Sequence, residues 1–518
     1  MEEVKKEIYK SSSKRIAVNT MMLYTRHILI ILVSLYTSRV VLQVLGAEDY
    51  GIYNVVGGFV TMFNIISGAF SVAIARFMAY TLESGNKKEL QKLFSTAIIT
   101  QIFMGILIFI LIATFGVWYV RHKMVLPDTR VNAALAVLLF SAVSFFISLL
   151  SVPYNAVLIA YEKMKAFAYI SILEVVLKLM VVFFVALIPW DKLVVYSMMM
   201  VASAMVIRFI YIYYCKKHFS ECEVVWELDK NIFLKMLSFT GWAFLGNGAV
   251  IIKDQGINMI LNLFGGPIVN AARAIAVNVN SAIGGFVENF TKATQPQITR
   301  LCSSKQYDEM HRLVLQSCKI SFFLSLAMCL PLIENMEYIL FIWLGEVPTY
   351  TSFFVIFTLI DLLIVSLNKP LLYGVLADGR IKIYEILLAL TYILGTVFVY
   401  FWLKGNGSIE FVYVITVFLR VLVLIYLVWQ SKETYCLSVR DFLKNVFFPV
   451  VLVAFGAALL TNKIDVNIAP AFLDFIIECI LSVVGTLVLV VIIGITSAER
   501  NSVKNAIKKK LKLIQRGR

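Results

Sequence analysis

VPYNAVLIAYEKMK (residues 152–165) returns downstream as KPLLYGVLADGRIK (residues 369–382). Each stretch sets a proline inside an apolar run and ends in a basic turn. Pro153 aligns with Pro370, Ala160 with Ala377, Lys163 with Arg380 and Lys165 with Lys382, at an offset of 217. A second pair agrees. NKKELQKLF (86–94) matches QYDEMHRLV (306–314), with Glu89 on Glu309, Leu90 on Met310, Lys92 on Arg312 and Leu93 on Leu313, at an offset of 220. Two nearly equal offsets read as a duplication within one chain.

The repeated unit is membrane-embedded. Of the 518 residues 60% are hydrophobic, and the mean hydropathy is +0.85. A soluble core cannot hide that much apolar surface, whereas a bilayer solvates it. Apolar segments follow one another to the end, and the connectors leave no room for a soluble domain. Fourteen helices are predicted, at 18–44, 51–81, 94–120, 131–160, 166–188, 193–215, 233–264, 269–298, 317–344, 350–377, 383–403, 409–430, 444–462 and 472–496. Several exceed the roughly 20 residues needed to span, which calls for tilt or kinks.

The net charge of +15 does not point to nucleic acid. The basic residues sit between hydrophobic segments, as the positive-inside rule requires. With the N-terminus inside, about 29 Lys and Arg fall in cytoplasmic segments and about 6 in external ones. The external loops GAEDY, FGGP and GEVPTY carry none. One external loop disagrees: VRHKMVLPDTR holds Arg121, Lys123 and Arg130. Both termini are therefore expected in the cytoplasm. The N-terminal segment has no short apolar core with a cleavage site, so it reads as retained. The seven cysteines form no metal-ligand or disulfide spacing.

The expected organisation is all-α: a cytoplasmic segment at 1–17, a six-helix bundle at 18–215, a cytoplasmic linker at 216–232 and a second six-helix bundle at 233–430. Two additional transmembrane helices at 444–496 and a basic cytoplasmic tail at 497–518 complete it. Six is even, so both halves enter the membrane from the same side and the repeats are parallel. Transporters use such paired bundles for alternating access. Pro153 and Pro370 each remove a backbone hydrogen bond and bend a helix, so they are matched candidate hinges; the plain alternative is that they only help end their helices.

An ionisable group inside a membrane costs several kcal/mol unless paired or hydrated. Lys235, Lys292, Lys319 and Lys369 lie near cytoplasmic ends and are expected to snorkel. Arg26 and Arg39 lie deeper in the first span, 13 residues or roughly 20 Å apart, with His27 beside Arg26. Lys253 and Asp254 fall past the middle of span seven, where neighbours point about 100° apart and need not pair. Arg273 opens span eight on an Asn-rich face. Glu174 and Lys178 are spaced for a structural i,i+4 pair. Arg208, Arg420, Asp361 and Glu288 receive no role from sequence.

A mostly cationic set suits an anionic substrate, and the Arg fork suits phosphate. Asn270, Asn278 and Asn280 would contact sugar hydroxyls or simply join helices. No P-loop, H-E-x-x-H or G-x-S-x-G occurs, so neither an enzyme nor a primary pump is expected. No cofactor is expected. Energy would come from the substrate gradient, a Na+ or H+ gradient or the membrane potential, with Asp254 the ion-coupling candidate.

VLQVLGAEDYGIYNVVGGFVTMF, joining spans one and two, resembles the start of bacterial polysaccharide export flippases of the Wzx type. These belong to the multidrug/oligosaccharidyl-lipid/polysaccharide exporter superfamily. At residue level the resemblance rests on Leu45-Gly46, Tyr50-Gly51-Ile52-Tyr53 and Lys253-Asp254-Gln255. It implies a flippase that moves undecaprenyl-pyrophosphate-linked oligosaccharide across the bacterial inner membrane, for O-antigen (lipopolysaccharide), capsule or exopolysaccharide. The implied substrate residues are Arg26, Arg39, Lys253 and Arg273, with Arg76 further out. The implied partners are the lipid-linked oligosaccharide, membrane lipids and polysaccharide biosynthesis enzymes.

Alternatives are a drug or cation antiporter of the same superfamily, whose cavity should be acidic, and a multispan polymerase or ligase, which normally carries a large external loop. A major-facilitator transporter is disfavoured because the turn after span two reads ESGNKKELQK.

Overall fold

The computed structural model describes residues 2–83, 86–161, 163–461, 471–495 and 500. Side chains are described at fewer positions, and Arg26, His27, Arg76, Lys235 and Lys292 lie outside that set. Among the described residues every regular element is helical. In hydrocarbon a helix satisfies its own backbone groups, so an apolar chain of this length has few other choices.

In chain order the helices are α1 (Glu2–Thr61), α2 (Asn64–Glu83), α3 (Lys87–Leu111), α4 (Val117–His122), α5 (Val131–Ala160), α6 (Met164–Leu187), α7 (Lys192–His218) and α8 (Lys230–Ser303). They continue as α9 (Tyr307–Glu334), α10 (Met336–Leu344), α11 (Thr351–Asp378), α12 (Lys382–Lys404), α13 (Glu410–Tyr435), α14 (Val439–Phe442), α15 (Phe448–Thr461) and α16 (Ala471–Leu489). Among the described residues twelve stretches are long and apolar enough to cross a membrane. Two of them, in α1 and α8, each hold two legs joined through a glycine. That restores about fourteen legs, as expected from the sequence.

Those two glycines are the repeat seen in the backbone. Gly46 has φ 82, ψ 167 and Gly266 has φ 71, ψ −173. This region is open essentially to glycine alone. The two glycines stand 220 residues apart, the offset read between NKKELQKLF and QYDEMHRLV. Helix starts follow: α3 at Lys87 and α9 at Tyr307, α5 at Val131 and α11 at Thr351. The offset then falls to 218 for α6 with α12 and α7 with α13, because α5 has 30 residues and α11 has 28. Pro153 and Pro370 both lie inside their helices, buried, about two turns before the ends.

The chain packs as two compact units: residues 1–278 with 396–409, and 279–395 with 410–518. In the first, α5 packs most extensively on α7; in the second, α11 on α13. Three of the four charges that sequence left without a role lie at these seams. Arg208 on α7 donates to the Leu150 carbonyl and lies 4.4 Å over the Tyr154 ring. Arg420 on α13 forms a bidentate pair with Asp361 of α11, at 2.9 and 3.2 Å, and donates to Tyr392 Oη at 2.6 Å. A two-bond fork holds the pair at a fixed register.

The loop that broke the positive-inside count has a local explanation. Arg130 donates to both carboxylate oxygens of Asp49 and to Asp191 at 2.5 Å. Asp191 also caps α7 by accepting from the backbone N–H groups of Leu193 and Val194. One of the three basic residues of this loop is therefore neutralised by acids brought from elsewhere.

The 216–232 segment is held against α3. Val225 N–H donates to Ser95 Oγ at 2.9 Å, Asp229 N–H to Thr96 Oγ1 at 3.2 Å, and Gln91 to the Glu223 carbonyl at 3.3 Å. α15 and α16 pack on α9, where Ser482 donates to Glu334 at 3.2 Å. Lys319 does not snorkel as expected: it sits on α9 with 3% of its surface exposed. The sequence suggests an end position, but α9 begins at Tyr307, which puts Lys319 more than three turns into the helix.

Five of the seven cysteines are buried, Cys479 is half-buried and Cys436 is exposed. The hydrogen bond to Cys215 and burial push the Cys222 thiol well up, and burial pushes Cys302 up. A membrane-impermeant maleimide is therefore expected to label Cys436 selectively. With both termini cytoplasmic, labelling occurs in inside-out vesicles and vanishes in C436S. Labelling of Cys436 in intact spheroplasts would reverse the topology.

Candidate functional site

The sequence candidates converge on the first unit, where α1 meets α8. Three contacts hold the crossing. Past the Gly46 bend, Gly51 lies against the backbone after Gly266: a Cβ there would sit 1.8 Å from the Pro267 carbonyl oxygen. Two turns on, a Cβ at Gly58 would meet the side-chain ends of Gln255 and Asn258 at 2.7 Å. Asn278 donates to Ser38 Oγ at 2.8 Å and more weakly to Tyr50 Oη at 3.4 Å. The YGIY motif is thus a close-packing motif, since small residues let helix backbones approach.

The asparagines brace the Gly266 bend. Asn270 has no exposed surface. Its amide donates to the Asn258 carbonyl and Oδ1, both at 2.8 Å, and its Oδ1 accepts from Asn262 at 3.1 Å. Asn262 Oδ1 in turn accepts from Val125 N–H at 3.1 Å. A bend frees backbone groups that hydrocarbon cannot satisfy, and side-chain amides supply the partners. In this conformation Asn270 and Asn278 are engaged by the protein and join helices.

The cations divide into two kinds. Lys253, 8% exposed, pairs with its neighbour Asp254 at 2.9 Å. Adjacent positions leave pairing open, and here the long Lys stem reaches back to the carboxylate. Arg273 takes only the Asp254 backbone carbonyl, at 2.8 Å. Arg39 is half-buried, one residue after Ser38, and among the described residues no hydrogen bond or ion pair engages its guanidinium. Among the described residues neither Arg39 nor Arg273 therefore has a carboxylate partner. Arg26 lies outside the described side chains.

Residues 13–302 match the model of a protein family described as polysaccharide biosynthesis protein. That is more than half the chain. The chain belongs to this family.

Solved structures extend the likeness in fold. The polysaccharide biosynthesis chain aligns with the lipid II flippase MurJ in an inward closed conformation at TM-score 0.70 and 14% identity, over 92% of this chain and 98% of that one. An inward-facing multidrug resistance MATE transporter of the MOP superfamily aligns at TM-score 0.59 and 14% identity, over 81% and 97%. A MOP superfamily transporter from Pyrococcus furiosus, described as having a binding pocket of reversed polarity, aligns at 0.51 and 14%, over 82% and 96%. No curated protein matches the sequence. The fold is that of flippases and transporters.

Sequence reading missed one feature of this family member. Serines of α5 and α7 open a polar cavity inside the first unit, with the Glu174–Lys178 pair on its wall. Serine scores as neutral within an apolar run, so the hydropathy profile hid it. The spacing Ser141, Ser144, Ser148, Ser151 was the available signal, because three-and-four steps keep one helix face.

Proposed function

We propose that this protein is a flippase. It moves undecaprenyl-pyrophosphate-linked oligosaccharide from the cytoplasmic to the periplasmic leaflet of the bacterial inner membrane, by alternating access, for O-antigen, capsule or exopolysaccharide assembly. The observation that carries the reading is a pair of arginines, Arg39 and Arg273, without carboxylate partners among the described residues, in a chain of the polysaccharide biosynthesis family. A pyrophosphate cannot cross hydrocarbon bare, since stripping its water costs far more than any single contact returns. Two guanidinium forks replace that water with charge-assisted hydrogen bonds.

The antiporter reading would need a preponderance of acid here, and Asp254 is already paired with Lys253. In the flippase reading a Na+ ion or proton that drives transport competes with Lys253 for Asp254. Pro153 and Pro370 are the hinges, both termini lie in the cytoplasm, and polysaccharide biosynthesis enzymes supply and receive the substrate.

The test is leaflet assignment in a strain lacking the protein. The expected result is lipid-linked oligosaccharide that is made but stays out of reach of an impermeant lectin or glycosidase in spheroplasts. Oligosaccharide reaching the outer face, with only chain length or final attachment failing, would overturn the reading in favour of a polymerase or ligase.

A further inference from the structure

The cavity inside the first unit has a volume of about 390 Å³, within the span of roughly 300–1,000 Å³ typical of small-molecule sites. It is walled by α1, α2, α5, α6 and α7. Its lining chemistry is unusual for the middle of a membrane protein. Seven of the lining residues are serines. Ser144 Oγ and Asn155 Oδ1 are buried without a hydrogen-bond partner in the protein. In this setting an unsatisfied polar atom costs on the order of 1–3 kcal/mol, so such atoms call for a ligand or water.

Charge narrows the class. Among the described residues the ionic groups on the wall are Glu174 and Lys178, which pair with each other at 2.7 Å. Their sum is zero, so the cavity offers no net field to a phosphate or to an organic cation. Several wall serines already spend their proton on their own helix: Ser197 on the Val194 carbonyl, Ser203 on Met200 and Ser151 on Ile147. Among the described residues Ser67, Ser141, Ser144 and Ser148 make no such bond, so the cavity offers hydroxyls that both donate and accept, beside the accepting Asn155 carbonyl and Glu174 carboxylate. A ligand that fits brings several neutral O–H groups, which likewise donate and accept. Tyr53, Phe145 and Tyr211 add aromatic surface, which suits a ring with apolar C–H faces. The exposed side chains of Thr61, Asn64 and Ser148 mark where the cavity opens.

We infer that this cavity binds a neutral sugar ring of the translocated headgroup, separately from the arginines that take its pyrophosphate. The inference rests on the flippase reading and adds a saccharide subsite inside the first bundle. The volume holds roughly one or two rings, so the site reads a terminal or branch sugar and not the whole chain.

The test places a cysteine at Ser144 and follows its alkylation by a small maleimide in inside-out vesicles of full-length protein. Vesicles come from cells that make lipid-linked oligosaccharide and from cells lacking the enzyme that starts it. The expected result is alkylation of S144C slowed at least fivefold when the lipid-linked oligosaccharide is present, with Cys436 labelling unchanged in both. Equal rates in the two vesicle types mean a water-filled cavity only, and overturn the inference while the leaflet assay still stands or falls by itself. A second variant guards against misfolding. E174Q keeps the shape and removes one acceptor, and it should lessen the protection of S144C severalfold without changing Cys436 labelling. Undiminished protection in E174Q would remove the carboxylate from the site.

Discussion

Gly51→Ala is expected to cost at least about 3 kcal/mol and to leave little folded protein in the membrane. The new methyl would lie 1.8 Å from the Pro267 carbonyl oxygen and 2.5 Å from its carbon. Both are backbone atoms, fixed by the Gly266 bend and the Asn258–Asn262–Asn270 network, so nothing local can yield. Two neighbouring glycines calibrate the claim. A Cβ at Gly58 meets only the movable ends of Gln255 and Asn258, so Gly58→Ala should cost about 1 kcal/mol. A Cβ at Gly57 meets nothing within 4 Å, so Gly57→Ala should be neutral or stabilising by up to about 1 kcal/mol. Melting temperatures and monodisperse yield of the three variants in detergent give the ranking. Equal stability of Gly51→Ala and Gly57→Ala would refute the backbone clasp.

Arg39→Ala with Arg273→Ala is expected to abolish surface polysaccharide, by 100-fold or more, at normal protein levels. Each charge-assisted contact to a buried anion is worth about 1.5–3 kcal/mol, so losing two costs on the order of 10²–10⁴ in transport. Among the described residues neither guanidinium serves as an ion-pair partner, so stability should fall by no more than about 1 kcal/mol. Lys at both positions should restore only part of the activity, since an ammonium lacks the bidentate fork. Unchanged surface polysaccharide in the double variant would sink the role given to these arginines. By contrast, Arg420→Ala leaves Asp361 unpaired within α11. It should lower stability and yield first, with export falling only in proportion.

The sequence by itself determined the class, the leg count and the duplication. Mean hydropathy, charge placement and two offsets near 220 sufficed, because a bilayer admits few structures to an apolar chain of this length. It also flagged the residues around Gly46, but as a motif without a cause. Only the tertiary structure decided what each polar side chain does. Lys253 and Asp254, whose spacing leaves pairing open, do pair; Lys319, expected to snorkel, is buried; Arg130, an anomaly in the topology count, is held by Asp49 and Asp191. The hydroxyl-lined cavity was invisible for the same reason. Hydropathy and periodicity report how one segment meets its solvent. A polar group inside a membrane is governed by its partner, which in this chain lies as far as 240 residues away, as for Asn278 and Ser38.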